Sequence, residues 1–417
     1  MLNGADGVHI GCCVSGHGFG HATRAIAVMQ ALSERIAARF TIVTSAPSWL
    51  FAASLAAPHT VHSLETDVGL VQQSPLSEDL PATLAALDRF YPLSEARIRP
   101  AAALFADCRL VLCDIAPLGI AAARLAGIPS FLIENFTWDW ISEGYAEYAK
   151  NRPQVRAHIN TLAALFRQAD YHIQTRPVCC PAPCDLTVDP VARRLRNPET
   201  IRRRLHCEPG QQLVLLTMGG VCRQGSEDLD LKPLLQRQDL VFVLPRPQGP
   251  DEFVDNLRFL SPQSPWHHPD LIAAADLVVG KVGYSTVAEA YHGETAYGYV
   301  PRPGFRESAT LEAFLDSRLL SWKIEERRLQ SGEWLADMPP LPPSSRRPGA
   351  RQTARIRRPA TWPHFLLRIS DAEPRNKQSL FSKSRTLCLS HCRRRVRWPC
   401  GGLRGGQEPA AAGPGRP

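Results

Sequence analysis

Two glycine-rich turns carry the residues of this chain best suited to chemistry. The first reads Ser15-Gly16-His17-Gly18-Phe19-Gly20-His21-Ala22-Thr23-Arg24. Glycine at alternate positions lets the backbone take positive φ and approach a ligand closely. A helix that starts just after such a turn offers free N–H groups to an anion. Two imidazoles sit in it, and a neutral imidazole accepts a proton near pH 7. Both His21 and His17 are therefore candidate bases. The spacing is not G-x-G-x-x-G, because the third glycine comes one residue early. The next strand closes in Thr44-Ser45-Ala46, without the acidic residue that a dinucleotide ribose needs. NAD binding is not expected. The plain alternative is a tight strand-to-helix turn that needs glycine for its geometry alone.

The second turn lies between 276 and 290. It contains Gly280-Lys281-Val282-Gly283-Tyr284-Ser285-Thr286, and Gly219-Gly220 stands at the end of an earlier apolar run. Ser285 or Thr286 is placed to cap the following helix. Their hydroxyls, the free N–H groups and Lys281 suit a diphosphate. Glu289 falls about one turn into that helix, where a carboxylate can accept from both hydroxyls of a ribose. The competing reading of Glu289 is an acidic residue favoured by the helix dipole.

Both turns need strands and helices to hold them. Apolar runs at 8–14, 40–44, 109–113, 130–133 and 171–174 read as buried strands. A second series follows at 213–217, 240–244, 277–279 and 295–300. Between them, 22–38 carries apolar residues at steps of three and four, and 153–169 and 286–293 also read as helices. Gly293 is expected at the C′ position of the last. Strands alternating with helices imply βαβ units and parallel sheets. Two series imply an α/β protein with two Rossmann-like domains. The expected division is 1–178, a Pro-rich linker at 179–197, 198–340, and a low-complexity tail at 341–417.

Composition supports a globular body. The chain has 417 residues, 44% hydrophobic and 21% charged, which excludes a disordered or fibrous protein as a whole. No apolar run approaches the ~20 residues of a membrane-spanning helix, and no export signal is read at the start. The net charge of +8 is unevenly shared: residues 346–417 carry +14 and the rest carries −6. The body therefore has no nucleic-acid bias, and no nucleic-acid partner is expected. Three readings of the tail stay open: a basic arm for nucleic acid or anionic lipid, a disordered segment, or out-of-frame translation of GC-rich codons. Twelve cysteines are present. They show no paired C-x-x-C units, so buried reduced thiols are expected rather than a zinc site or disulfides.

The motifs are similar to those of GT-B glycosyltransferases, over roughly 8–335. In particular the chain resembles the glycosyltransferase-like proteins related to the N-terminal half of L-arabinokinase. The segments that carry this are Gly16 to Arg24, Asn135-Phe136-Thr137-Trp138-Asp139, Val188-Asp189-Pro190-Val191-Ala192-Arg193-Arg194, Lys281 to Glu289, and Pro301-Arg302 with Glu307. More distantly it resembles the peptidoglycan-lipid N-acetylglucosaminyltransferase and plastid galactolipid synthases. There a Gly-His pair, here Gly20-His21, marks the proposed base, and a glutamate, here Glu289, binds the ribose of a UDP-sugar. Lys281 and Phe19 depart from those patterns, and the kinase motifs of arabinokinase are absent from this sequence.

The resemblance implies two Rossmann-like domains about a central cleft. It implies metal-independent transfer of a hexosyl or N-acetylhexosaminyl group from a nucleotide-sugar, UDP-linked, with no bound cofactor. The donor side takes Gly219, Gly220, Lys281, Gly283, Ser285, Thr286 and Glu289, with Glu307 at the donor sugar. The acceptor side takes Gly16, Gly18, Gly20, Arg24, Asn135 and Trp138, with Asp139 as alternative base. Trp138 and Trp140 read equally as packing residues. The acceptor, whether glycan, lipid or small molecule, is left open, and a cytoplasmic protein with peripheral contact at the inner membrane face fits the reading. Two other classes stay open: a nucleotide-sugar epimerase of the same fold, and a sugar-nucleotide-binding protein without catalysis.

Overall fold

The computed structural model describes residues 7–219, 229–246, 248–261 and 265–341. The expected tail lies outside the described residues from 342 onward, and so does Gly220. In chain order, the strands of the first half are β1 (Val8–Val14), β2 (Ala38–Thr44), β3 (His59–Ser63), β4 (Gln72–Ser74), β5 (Ser77–Glu78), β6 (Leu110–Asp114), β7 (Ser130–Glu134), β8 (Tyr171–Thr175) and β9 (Leu186–Val188). Those of the second half are β10 (Gln212–Thr217), β11 (Leu240–Pro245), β12 (Glu252–Val254), β13 (Leu257–Leu260), β14 (Leu277–Lys281), β15 (Ala296–Val300) and β16 (Ser321–Lys323).

The first sheet runs β3-β2-β1-β6-β7-β8-β9, all parallel. The second runs β12-β13-β11-β10-β14-β15-β16, parallel except for the edge pair β12–β13. The strand order reverses beside β1 in one sheet and beside β10 in the other. Such reversal points leave a crevice at the carboxyl ends of the strands. The register pairs Val14 with Asp114 and Thr217 with Gly280, so these four residues mark the two crevices.

A parallel sheet covered by helices on both faces favours apolar side chains on both sides of each strand. The central strands show this. In β1, Cys13 packs in one core and Ile10, Cys12 and Val14 in the other. In the second sheet, Leu213 and Leu215 face one core and Val214 and Leu216 the other. Gly119 lets the helix Pro117–Ala126 approach β1 and β6, because a Cβ there would collide with Cys13 and lie 2.8 Å from the Cys113 sulfur. Cys12, Cys13, Cys108 and Cys113 are buried thiols. No described helix is long and apolar enough to cross a membrane.

Several sequence expectations are corrected. The helix expected at 22–38 is Phe19–Ser33, and Ala38 already belongs to β2. Ile36 lies in the intervening turn and still packs against the core, which is why the apolar spacing overran the helix. Gly293 is the last residue of the helix Tyr284–Gly293, and it is Glu294 that takes the left-handed conformation, φ 52°. Gly293 is small for packing: a Cβ there would lie 3.2 Å from the Ala273 Cα. Within the stretch 179–197, β9 adds an edge strand to the first sheet.

Candidate active site

The carboxyl ends of three neighbouring strands converge on one arginine. Asp114 ends β6, Asn135 follows β7 and Thr175 ends β8. Arg24 gives Nε and Nη2 to the two Asp114 oxygens, each at 2.7 Å, in the parallel fork that guanidinium and carboxylate favour. Its Nη1 donates to Asn135 Oδ1 at 2.7 Å and reaches Thr175 Oγ1 at 3.5 Å. Arg24 is only 1% exposed and Asp114 2%. Burial works against the Asp114 charge, but Arg24 and His21 outweigh it and hold the carboxyl below its ordinary range.

His21 stands one helical turn before Arg24, on the same face. Its Nδ1 lies 3.0 Å from Asp114 Oδ1. An ionised carboxylate only accepts, so Nδ1 carries a proton, and in the neutral tautomer Nε2 bears the lone pair. The imidazole is bounded by Phe136 and Trp138, with ring centroids at 6.1 and 6.0 Å.

His17 sits in a slot. Its ring meets Trp138 edge-on at 5.0 Å, and a Cβ on Gly69 would come within 2.5 Å of its Nδ1. Burial first, then His21, Arg302 and Lys281, lower its pKa to about 3, so it is neutral. Trp138 donates its indole N–H to Asp67 Oδ2 at 2.6 Å. It is 2% exposed, and it packs in the core as well as walling both histidines. Asp139, the alternative base, has its carboxyl against Thr137 and the backbone at the start of its own helix, and burial raises its pKa.

Gly18 caps the helix Phe19–Ser33 at φ 73°, with open space where a Cβ would stand. A Cβ on Gly16 would collide with the Ser45 hydroxyl. A Cβ on Gly20 would meet nothing nearer than Ser285 Oγ, 3.5 Å away. The two glycine turns of the sequence thus come face to face.

On the second side, Gly283 is the N-cap of the helix Tyr284–Gly293, and no side chain caps it. Ser285 and Thr286 were the expected caps and instead lie in the first turn, because the helix begins two residues before the expected start at 286. Ser285 is partly exposed and Thr286 buried. Gly219, φ 73°, lies close to Lys281, whose Cε would be 3.0 Å from a Cβ there. Tyr284 roofs Arg24, with the guanidinium carbon 5.0 Å from the ring centroid.

Two carboxylates expected to face a donor have protein partners. Glu289 Oε1 accepts from Arg193 Nη2 at 3.0 Å and Nε at 3.3 Å, and Oε2 pairs with His268 Nδ1 at 2.7 Å. Burial opposes its charge, yet Arg193 and His268 bring its pKa down to about 2. Glu307 Oε1 accepts from Asn135 Nδ2 at 2.7 Å, so a residue expected on the acceptor side bonds one expected at the donor. Burial raises the Glu307 pKa against the pull of Asn135 and Arg302.

Asp114 and Asp67 are the functional residues that sequence reasoning missed. The run 109–113 stopped one residue short of Asp114, and an aspartate ending a buried strand beside a glycine turn is the signal that was there to read. Asp67 stands alone in a loop and gave none. The assembled group can take a proton at His21 Nε2, stabilise the imidazolium through Asp114, and receive anionic charge at the uncapped helix start near Lys281.

Comparison with known proteins agrees with this architecture. No family model matches the chain. L-arabinokinase of Arabidopsis thaliana is 29% identical over 337 residues, covering 77% of this chain and 31% of its own length, so the chain spans about a third of that relative. The solved structure of the spinosyn forosaminyltransferase SpnP superposes with a TM-score of 0.55 at 16% identity, covering 87% of this chain and 98% of that one. A UDP-glucosyltransferase from Polygonum tinctorium capable of glucosylating indoxyl superposes with a TM-score of 0.56 at 13% identity, covering 88% and 99%. The chain has the GT-B glycosyltransferase fold and is distantly homologous to the N-terminal region of L-arabinokinase.

Proposed function

We propose that this protein transfers a sugar from a nucleotide-diphosphate sugar, UDP-linked, to an acceptor hydroxyl of a glycan, lipid or small molecule. The observation that carries the reading is the His21–Asp114 pair, 3.0 Å apart, facing a second glycine turn with an uncapped helix. In the proposed step, His21 Nε2 takes the acceptor O–H proton as the oxygen bonds to the anomeric carbon. The bond from that carbon to the diphosphate oxygen breaks, and its electron pair leaves with the nucleotide diphosphate. The imidazolium is stabilised by Asp114, and the leaving diphosphate by Lys281, Ser285, Thr286 and the N–H groups after Gly283. Gly219, beside Lys281, borders the same anion. Gly220 is proposed with it on sequence grounds alone. Glu307 meets the donor sugar, and Glu289 meets the ribose once Arg193 or His268 yields an oxygen. Buried unpaired thiols fit a reducing compartment such as the cytoplasm.

A second reading is a protein that binds the nucleotide-sugar and transfers nothing. It is favoured by the protein partners already on both Glu289 oxygens. One experiment separates the two. A panel of nucleotide-sugars is screened by thermal shift, then a stabilising donor is assayed for transfer in the parent and in His21→Ala. Transfer predicts a loss of about 10²–10⁴-fold in His21→Ala with UDP affinity nearly unchanged. Binding without turnover in the parent favours the second reading. No response to any nucleotide-sugar overturns both.

A further inference from the structure

Asp67 lies outside the His21–Asp114 pair and closes the site from the other side. Its segment is fixed to the sheet. The Thr66 hydroxyl donates to the Val14 carbonyl at 2.9 Å, and the Leu118 N–H donates to the Thr66 carbonyl at 3.3 Å. Thr66 is fully buried, so the loop that carries Asp67 cannot drift from the end of β1. Asp67 then accepts the Trp138 indole N–H at 2.6 Å, the Ser15 side chain also reaches it, and the Thr66 oxygen, whose proton goes to the shorter Val14 bond, lies 3.3 Å from its Oδ1. Burial is the largest influence on Asp67 and raises its pKa, while Ser15, His21, Trp138 and Thr66 oppose that rise and favour the ionised carboxylate.

The consequence runs through Trp138. Its ring has centroids 5.0 Å from His17, 6.0 Å from His21 and 5.2 Å from Phe136. An indole held by its N–H has one orientation, and that orientation sets the wall on which both imidazoles rest. Gly69, two residues beyond Asp67, closes the other side of His17. A stretch of four residues therefore shapes the slot of one histidine and fixes the wall of the other. Asp67 also interacts with His21 by charge. The charged and titratable groups around His21 are Asp114 and Arg24, both in contact, with His17, Asp67 and Glu307 farther off.

We infer that Asp67 is a positioning residue, which orients Trp138 and through it His21 and His17, and whose charge supports the imidazolium formed when His21 takes a proton. The orientation part stands on the geometry of the Trp138 indole. The rate consequence rests on the glycosyl-transfer reading.

The test uses the full chain labelled at histidine, with the His21 resonance assigned from its loss in His21→Ala. The Cε1–H signal is followed from pH 5 to pH 9 in the parent, Asp67→Asn, Asp67→Glu and Trp138→Phe. Removing a nearby negative charge disfavours the imidazolium. The His21 transition in Asp67→Asn is therefore expected at lower pH by about half a unit or more, with Asp67→Glu returning toward the parent. In the transfer assay, the acid limb of kcat/KM moves the same way. Both Asp67→Asn and Trp138→Phe are expected to lose about tenfold or more in kcat at nearly unchanged donor KM. An unmoved His21 transition in a folded Asp67→Asn overturns the charge role. Parent-like kcat in Trp138→Phe overturns the positioning role, and this variant keeps that arm open where Asp67→Asn does not fold. The resonance measurement needs no substrate, so failure of transfer with every donor leaves it standing and counts against the function alone.

Discussion

Replacing Glu289 by glutamine keeps the side chain's size and removes its charge. Glu289 is 4% exposed and holds Arg193 and His268 on its two oxygens. Its pKa lies at about 2 in the folded chain against 4.5 for a free glutamate. That gap of about 2.5 pH units corresponds to ~3 kcal/mol of folded-state stability. A depressed carboxylate contributes fully above 4.5 and loses its contribution as pH falls through 2. Between those limits the slope is about 1.4 kcal/mol per pH unit. Parent and Glu289→Gln should therefore differ by ~3 kcal/mol at pH 7, and the difference should shrink by ~2 kcal/mol by pH 3. Urea unfolding of both chains at pH 7, 4 and 3, followed by far-UV circular dichroism and compared at a common m-value, measures it. Parallel behaviour from pH 7 to pH 3 would refute the reasoning. It would mean that Arg193 and His268 do not hold Glu289 ionised, and that its oxygens are open to another ligand.

Two further outcomes concern the frame of the site. Gly280→Ala would drive a Cβ into the Thr217 backbone carbonyl and part β10 from β14. It should cost about 3 kcal/mol or abolish folding, whereas Gly283→Ala, extended and with open space around it, should melt within a few degrees of the parent. A chain ending at residue 345 should melt cooperatively and show the same nucleotide-induced thermal shift as the full chain. Leu341, the last described residue, is already buried in the second half's core with Trp334.

The strands of both sheets were legible because a doubly covered parallel sheet turns each strand into an uninterrupted apolar run, as at Leu213 to Leu216. The edge strands were not. His-Thr-Val-His-Ser in β3 and Ser-Trp-Lys in β16 are polar or short, since an edge strand has fewer neighbours to satisfy. The two glycine turns announced themselves through glycine, which marks backbone shape. Charge pairing does not announce itself. Arg193 reaches Glu289 across 96 positions of sequence, and Asn135 reaches Glu307 across 172. Nothing local to any of the four reveals its partner. Asp67 was missed for the same reason: a lone aspartate in a loop acquires meaning only when the fold brings tryptophan to it.

Tyr284 lies over Arg24, and Glu307 holds Asn135. The Arg24–Asp114–Asn135 cluster of the first half is thus finished by residues of the second. A chimaera that imports a foreign second half without a tyrosine and a glutamate at these two positions strips the cover from Arg24 and leaves the Asn135 amide only the long contact to the Cys179 sulfur, 3.8 Å. The unit of exchange in this protein is the half together with those two residues, and the crossover point matters less than keeping them.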